Sequence, residues 1–362
     1  MKRQAKLERS SASASGLIEL ARKKNKVAMV RTSPLSVAAL SVLAVVTLAP
    51  TPFRAQEQFQ FESDLLAKRR VFDAAGPGFR AIHRDPNGNY YILTAPSSAV
   101  QVYDAAGKRI GQIPRDTAAK GAALVYGESF DVDRDGHLAV SDRGENAVKV
   151  YSPNGLLATT IPVSGPASVA LLTGGEVAIA SPNTPRLITV YDLAGKQVRE
   201  YGDREVIADR ADVNNQVNLG RLEADETGNT YFAFDYLPEP TAHKFDRLGY
   251  LTMEISLKTL EFQPAAQAAR RAIARSDRGT PALHRIITAL GVDPQTQEVW
   301  LAIGTLLMHF DKDGQRLASF RTYMPGGARM EASAILVERD RLLIGADPKG
   351  IYEFPRPAKP SQ

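Results

Sequence analysis

One segment recurs along this chain, and the recurrence constrains the fold more than any other feature. In its clearest copy, FDVDRDGHLAVSDRGENAVKVYSPNGLLATTI from Phe130 to Ile161, an apolar stretch meets Asp-x-x-Gly. An alternating stretch, a polar loop, a second alternating stretch ending in Tyr and another Gly-closed turn follow. Side chains of a strand point alternately to its two faces, so this pattern reads strand, turn, strand, loop, strand, turn, strand. Further copies open at IHRDPNGNYYIL, VALLTGGEVAIA, LEADETGNTYFAF, LGVDPQTQEVWLAI and ILVERDRLLIGA. In the third copy Leu172 replaces the Asp of the first turn. A fixed period of about 40 residues, each unit unable to bury its apolar faces alone, predicts an all-β, six-bladed β-propeller of four-stranded antiparallel blades.

The sixth copy stops after GIYEF, its third strand. A propeller must close its ring, and the N-terminal segment FQFESDLLAKRRVF, Phe59 to Phe72, is apolar enough to supply the outer strand of the last blade. Six blades then account for nearly all of residues 57–357, so 56–362 is expected to be one propeller domain. Asp133, Gly136, Asp142, Asn146, Val150, Tyr151 and Gly155 follow the pattern V-D-x-x-G-x-x-x-V-x-D…N-x-V-x-V-Y/F-D-x-x-G. In that respect the chain resembles the NHL-repeat group of six-bladed propellers. The resemblance spans most of the chain beyond the leader, but its landmarks build turns and strands and so imply a fold rather than an activity.

Charge is unevenly placed. The chain of 362 residues has a net +5, yet residues 1–55 hold ten Lys/Arg against two Asp/Glu, a net +8, so the rest carries −3. The folded part is mildly acidic, which does not suggest a nucleic-acid surface. Residues 35–48, LSVAALSVLAVVTL, form an uncharged run of 14, short for a bilayer span and suited to a signal-peptide core. Residues 1–55 are therefore expected to be an export leader, cleaved near Ala55 or retained as a signal anchor, with a start at Met29 giving a more compact version. The expected location is periplasmic or extracellular, with no membrane span in the mature chain. The chain has no Cys, which removes disulfides, thiolate metal sites and thiol nucleophiles.

The two faces of the disc are expected to differ. One carries minimal turns; the other carries the excursions Arg115 to Glu128, Gly202 to Asn218, Tyr236 to Thr241 and Thr259 to Ala282. Long loops in an economical fold are usually functional or disordered. The last contains PAAQAARRAIAR, whose leading Pro264 and six alanines predict a short helix near 264–275. Its Arg270, Arg271 and Arg275 are placed to form a lid that holds an anionic ligand, or to be a solvated helix surface. On the same face Asp142, Arg143, Asn146, Asn183, Asp235, Tyr236, His284 and Arg285 are the candidate ligand residues.

Their oxygens could hold Ca²⁺, as in six-bladed lactonases of the gluconolactonase type, although the central acidic and amide set of those enzymes is not assembled here; Asp142 and Asn146 serve equally as loop caps. Amidating-lyase propellers hold Zn²⁺ with several histidines. Here His83 and His137 read as residues in or beside short turns, and His243 and His309 as third-strand residues, leaving His284 alone at the channel mouth. No cofactor is expected. The leading expectation is a monomeric, non-catalytic module that binds a protein, peptide or glycan at the cell envelope; the alternative is a Ca- or Zn-dependent hydrolase or lyase.

Overall fold

The computed structural model describes residues 62–275 and 282–358, all within one unit, Gln58–Gln362. The expected leader, with its run at 35–48, lies outside the described residues. Six sheets are present. Blade one comprises Phe79–Arg84, Tyr90–Thr94, Val100–Tyr103 and Arg109–Ile113, and blade two Gly127–Val132, Leu138–Asp142, Ala147–Tyr151 and Leu157–Pro162. Blade three comprises Ser168–Leu172, Glu176–Ala180, Ile188–Asp192 and Gln197–Tyr201, and blade four Gly220–Ala224, Thr230–Phe234, Thr241–Phe245 and Leu251–Ser256. Blade five is built on Ile287–Val292, Val299–Ile303, Leu306–Phe310 and Arg316–Tyr323. Blade six has Ala334–Val337, Arg341–Ala346 and Gly350–Pro355. Neighbouring strands within these four- and three-strand runs are antiparallel, and first strands of successive blades pack side by side until the sixth meets the first.

The N-terminal segment closes the ring in two steps. Arg69–Val71 pairs antiparallel with Gly350–Pro355 and completes blade six, as the sequence predicts. Glu62–Leu66 does something else: it pairs in parallel with Arg316–Tyr323 and makes a fifth strand of blade five. The intervening Ala67 and Lys68 amides are held by the carbonyls of Tyr323 and Glu353, which carries the chain from one blade to the next. Arg69 adds an ion pair to Glu353 at 2.9 Å.

The core is divided among the seams. Each of six apolar clusters lies between two adjacent blades, and the strand pleat explains why. In blade two, Leu138 and Val140 face blade one while Ala139, between them, faces blade three. Both faces of the second strands are therefore covered, so these read as continuous apolar runs. At the last seam Phe79 of blade one lies over Gly345 of blade six, where a Cβ would meet the ring at 1.7 Å; only glycine admits this approach.

The recurrent Asp residues cap the tight turns. Asp133 Oδ1 accepts the amides of Asp135 and His137, and Asp225 accepts the amides of Thr227 and Asn229 and the Tyr231 hydroxyl. The closing glycines, such as Gly136 and Gly228, have φ of +88° and +86°. The backbone demands both residue types, which is why they repeat.

Two helices interrupt the strands. The helix α1, Ala211–Val217, lies in the excursion after blade three and buries Val213 and Val217. The predicted helix in the long insertion spans Gln263–Arg275 and is called α2; it buries Ala266 and Ala269. No helix among the described residues is long and apolar enough to cross a membrane.

Candidate functional site

The first strands start at the loop-rich face and run toward the short turns, so alternate residues of each look into the central channel. Blades three, five and six offer mostly small or apolar groups there, including Ala167, Ser168, Leu290, Ala334 and Ile335. Blades one, two and four offer charge. Arg80 and His83 come from blade one, Glu128 and Asp131 from blade two, Arg221 and Glu223 from blade four. At about 3.3 Å per residue, two or three positions along a strand separate an outer tier from an inner one by roughly 7–10 Å.

The outer tier forms the mouth. Asp235, at the end of a second strand, sits between two guanidiniums: Arg285 Nε is 2.8 Å from one carboxylate oxygen and Arg221 Nε 3.3 Å from the other. Arg221 also donates to the Ser333 carbonyl, and Arg285 lies over the Tyr236 ring. Arg80 donates from Nη2 to the Tyr126 hydroxyl and stacks above that ring, while its buried Nε has no hydrogen-bond partner. Arg143 lines the same opening, exposed. Four guanidiniums thus share the mouth with two carboxylates, Asp235 and Glu128.

The inner tier is acidic. His83 Nδ1 lies 3.2 Å from Asp131 Oδ1, and Asp131 also accepts the amides of Val132 and Leu171. The channel leaves these two side chains a sliver of solvent, 17% and 16%. Burial lowers the His83 pKa, only partly opposed by Asp131; burial raises that of Asp131, opposed by His83 and the two amides. Glu223 is pushed well above the usual carboxylate range, first by burial and then by Asp131, with Arg221 pulling weakly the other way. Its carboxyl makes no hydrogen bond or ion pair among the described residues. This tier encloses a cavity of about 90 Å³ with the mouth, room for a few waters or one ligand group.

Of the eight candidates on this face, Arg143, Asp235, Tyr236 and Arg285 line the channel. Asp142 is fully buried, accepting the amides of Val125 and Tyr126, and its partner Lys149 at 3.0 Å is equally buried. Lys149 in turn donates to the Ala123 carbonyl, so the pair fastens the Arg115–Glu128 excursion to blade two. Asn146 has φ of +52° and accepts the Gly165 amide; Asn183 donates to Ser164. His284 is exposed beside the mouth. Among the described residues, none from α2 lines the channel: Arg270 pairs with Glu239 in a separate cleft, and Arg271 and Arg275 are exposed.

His83, read from the sequence as in or beside a short turn, stands on the first strand beside that turn, one position before Arg84 ends the strand; what the reading did not give is that it lines the channel. Asp131, Glu223 and Arg221 were also missed. The available signal was a pair of charged or ionisable residues two or three positions apart on a first strand, as in Arg80-x-x-His83, Glu128-x-x-Asp131 and Arg221-x-Glu223, where the other blades keep small or apolar side chains. Asp133, Asp135 and His137 gather ligand atoms that could hold a metal, but on a short turn where Asp133 already accepts two amides and meets His137 Nδ1 at 3.0 Å.

The chain matches no protein-family model and no curated protein. Among solved structures it is similar to a streptogramin B lyase, at 12% identity over 79% of this chain and 85% of that one, TM-score 0.50. It is also similar to U3-55K, at 10% identity over 77% and 96%, TM-score 0.50. A virginiamycin B lyase from Staphylococcus aureus matches at 14% identity over 80% and 88%, TM-score 0.47. At such identities the likeness to the first two is one of fold alone, and the six sheets of this chain make that fold a six-bladed β-propeller.

Proposed function

We propose that the protein is an exported, non-catalytic binding module whose channel mouth captures a carboxylate of a peptide or protein at the cell envelope. The observation that supports this most is the surplus of guanidinium at the mouth, four against two carboxylates, with Arg80 Nε buried and without an acceptor. A planar guanidinium binds a carboxylate through paired N–H groups, and a buried donor lacking a partner is an incentive for a ligand oxygen to enter. The inner cavity is too small for a substrate-sized molecule but takes one terminal group. The excursions around the mouth expose Val125 and Tyr126 for contacts beyond the anchor.

Fluorescence anisotropy with labelled acidic peptides tests the reading. Binding should weaken about tenfold or more in Arg80→Ala and on amidation of the peptide carboxylates, in line with the loss of a charge-assisted hydrogen bond. Equal affinity for the amidated peptides would reject it, and preference for uronic-acid oligosaccharides would move the ligand to a glycan.

A second reading, a metal-dependent hydrolase or lyase, is favoured by one observation: the His83–Asp131 pair beside the high-pKa Glu223 is an acid–base set in a concave site. It requires ester or lactone turnover that is lost with chelator and in His83→Ala.

A further inference from the structure

A second and larger cavity lies away from the channel. It is a cleft of about 580 Å³ on blade four, against about 90 Å³ in the channel, and falls in the range of small-molecule sites. One wall is the edge of the blade, through His243, Glu254 and Lys258; the other is α2, through Arg270, Ile273 and Ala274; Glu205 and Ile207 close it from the excursion after blade three, and Leu237 and Pro238 form its apolar floor.

Apart from the Arg270–Glu239 ion pair, the polar groups in this cleft are not matched to one another. His243 is nine-tenths buried, framed edge-on by Phe234 and Phe245 at 5.2 and 5.9 Å, and neither ring nitrogen makes a hydrogen bond among the described residues. Its nearest polar neighbour is the Glu254 carboxylate, at 3.7 Å. Burial lowers its pKa against the pull of Glu254 and Glu205, so the ring is neutral at pH 7 and one nitrogen is an acceptor. Glu205 is half-buried and its carboxylate has no hydrogen bond or ion pair among the described residues, although its backbone is clamped on both sides by Asn218. Arg270 does not answer it, being paired with Glu239. Lys258 stands exposed at the rim. Two carboxylates and a neutral imidazole therefore converge on space bordered by Leu237, Ile207 and Ile273. A half-buried carboxylate without a countercharge is costly unless a cation completes it.

We propose that this cleft binds a small organic cation in which one ammonium joins an apolar body. The ammonium sits between Glu205 and Glu254 and donates to His243; the body lies against Leu237, Ile207 and Ile273. The site is independent of the channel mouth, whose surplus charge has the opposite sign.

The test is isothermal titration of the whole purified protein with phenethylamine, tryptamine and hexylamine, and with 3-phenylpropionate as the anion of matched body. Saturable binding of at least one amine at one site per chain is expected, with the propionate binding at least tenfold more weakly. Glu205→Gln and Glu254→Gln should each weaken the amine about tenfold, while Arg285→Ala at the mouth leaves it unchanged. Thermal melts confirm that the Gln variants fold, and amine-induced shifts of the His243 ring signals locate the site independently of them. Failure of all three amines to saturate, parity between amine and propionate, or indifference to both Gln substitutions would overturn the proposal.

Discussion

Carboxylates at the ends of the strands and carboxylates in the channel are the same chemical group in opposite situations. Asp142 loses solvent, which pushes its pKa up, but the amides of Tyr126 and Val125 and the Lys149 ammonium outweigh that and hold it below the usual value. Asp293 is likewise held low by the amides of Thr296 and Gln295 and by Arg356. In the channel, Asp131, Asp235 and Glu223 are also stripped of water, but there burial prevails and all three are raised. Asp142 and Asp293 each combine two backbone amides with a cation, whereas in the channel Asp131 has two amides but only a histidine beside it, Asp235 has two guanidiniums but no amide, and Glu223 has no hydrogen bond among the described residues. The lesson is that a propeller can hold charge cheaply at its turns and only reluctantly at its axis, where it stays available to a ligand.

The comparison breaks most visibly at Asp142. Asp142→Ala strips the Val125 and Tyr126 amides of a charged acceptor and leaves the fully buried Lys149 ammonium with Glu145 as its one remaining carboxylate, and should cost about 3–5 kcal/mol in urea unfolding; a cost below ~1 kcal/mol would mean the strand-end carboxylates are not structural. Arg356→Ala removes the cation that lies 2.6 Å from Asp293 and 2.7 Å from the buried Glu298, and should cost about 2–4 kcal/mol in the same assay. Asp225→Ala should cost about 1–2 kcal/mol by stripping the turn amides and the Tyr231 hydroxyl of their acceptor.

Glu223→Gln sharpens the contrast with the smallest effect and the opposite sign. Between the ordinary carboxylate pKa near 4 and the raised value of Glu223, the folded protein retains a proton that the unfolded chain has released, so stability falls as pH rises through that window. The Gln variant lacks this penalty. It should match the wild type at pH 4 and melt at the same or higher temperature at pH 8; a variant less stable at pH 8 than at pH 4, relative to wild type, would place Glu223 among the structural carboxylates.

The turns were legible in the sequence because backbone geometry dictates them: Asp and positive-φ Gly recur wherever a two-strand connection must be tight. The blade count followed, as did α2, where Pro264 and the alanines act locally. The parallel strand Glu62–Leu66 was not legible, since nothing in a period of antiparallel hairpins marks a segment for parallel pairing with a strand some 250 residues away. Nor was the inner tier of the channel. His83, Asp131 and Glu223 are single residues on separate blades, brought together only by closure of the disc. Asp142 was misleading for the converse reason: an Asp at the end of a strand looks the same whether it faces solvent or, as here, the amides of a loop arriving from 17 residues upstream.

The two-step path of the N-terminal segment makes the ring a lap joint rather than a butt joint. The boundary between blades five and six is crossed twice by the chain, once on the way in through Ala67 and Lys68 and once on the way out after Tyr323. A load that pulls on the N-terminus is taken first along the axis of a paired strand, in shear across its whole ladder, and not by peeling hydrogen bonds one at a time. The disc is accordingly reinforced at the edge where the described chain enters it, at Glu62.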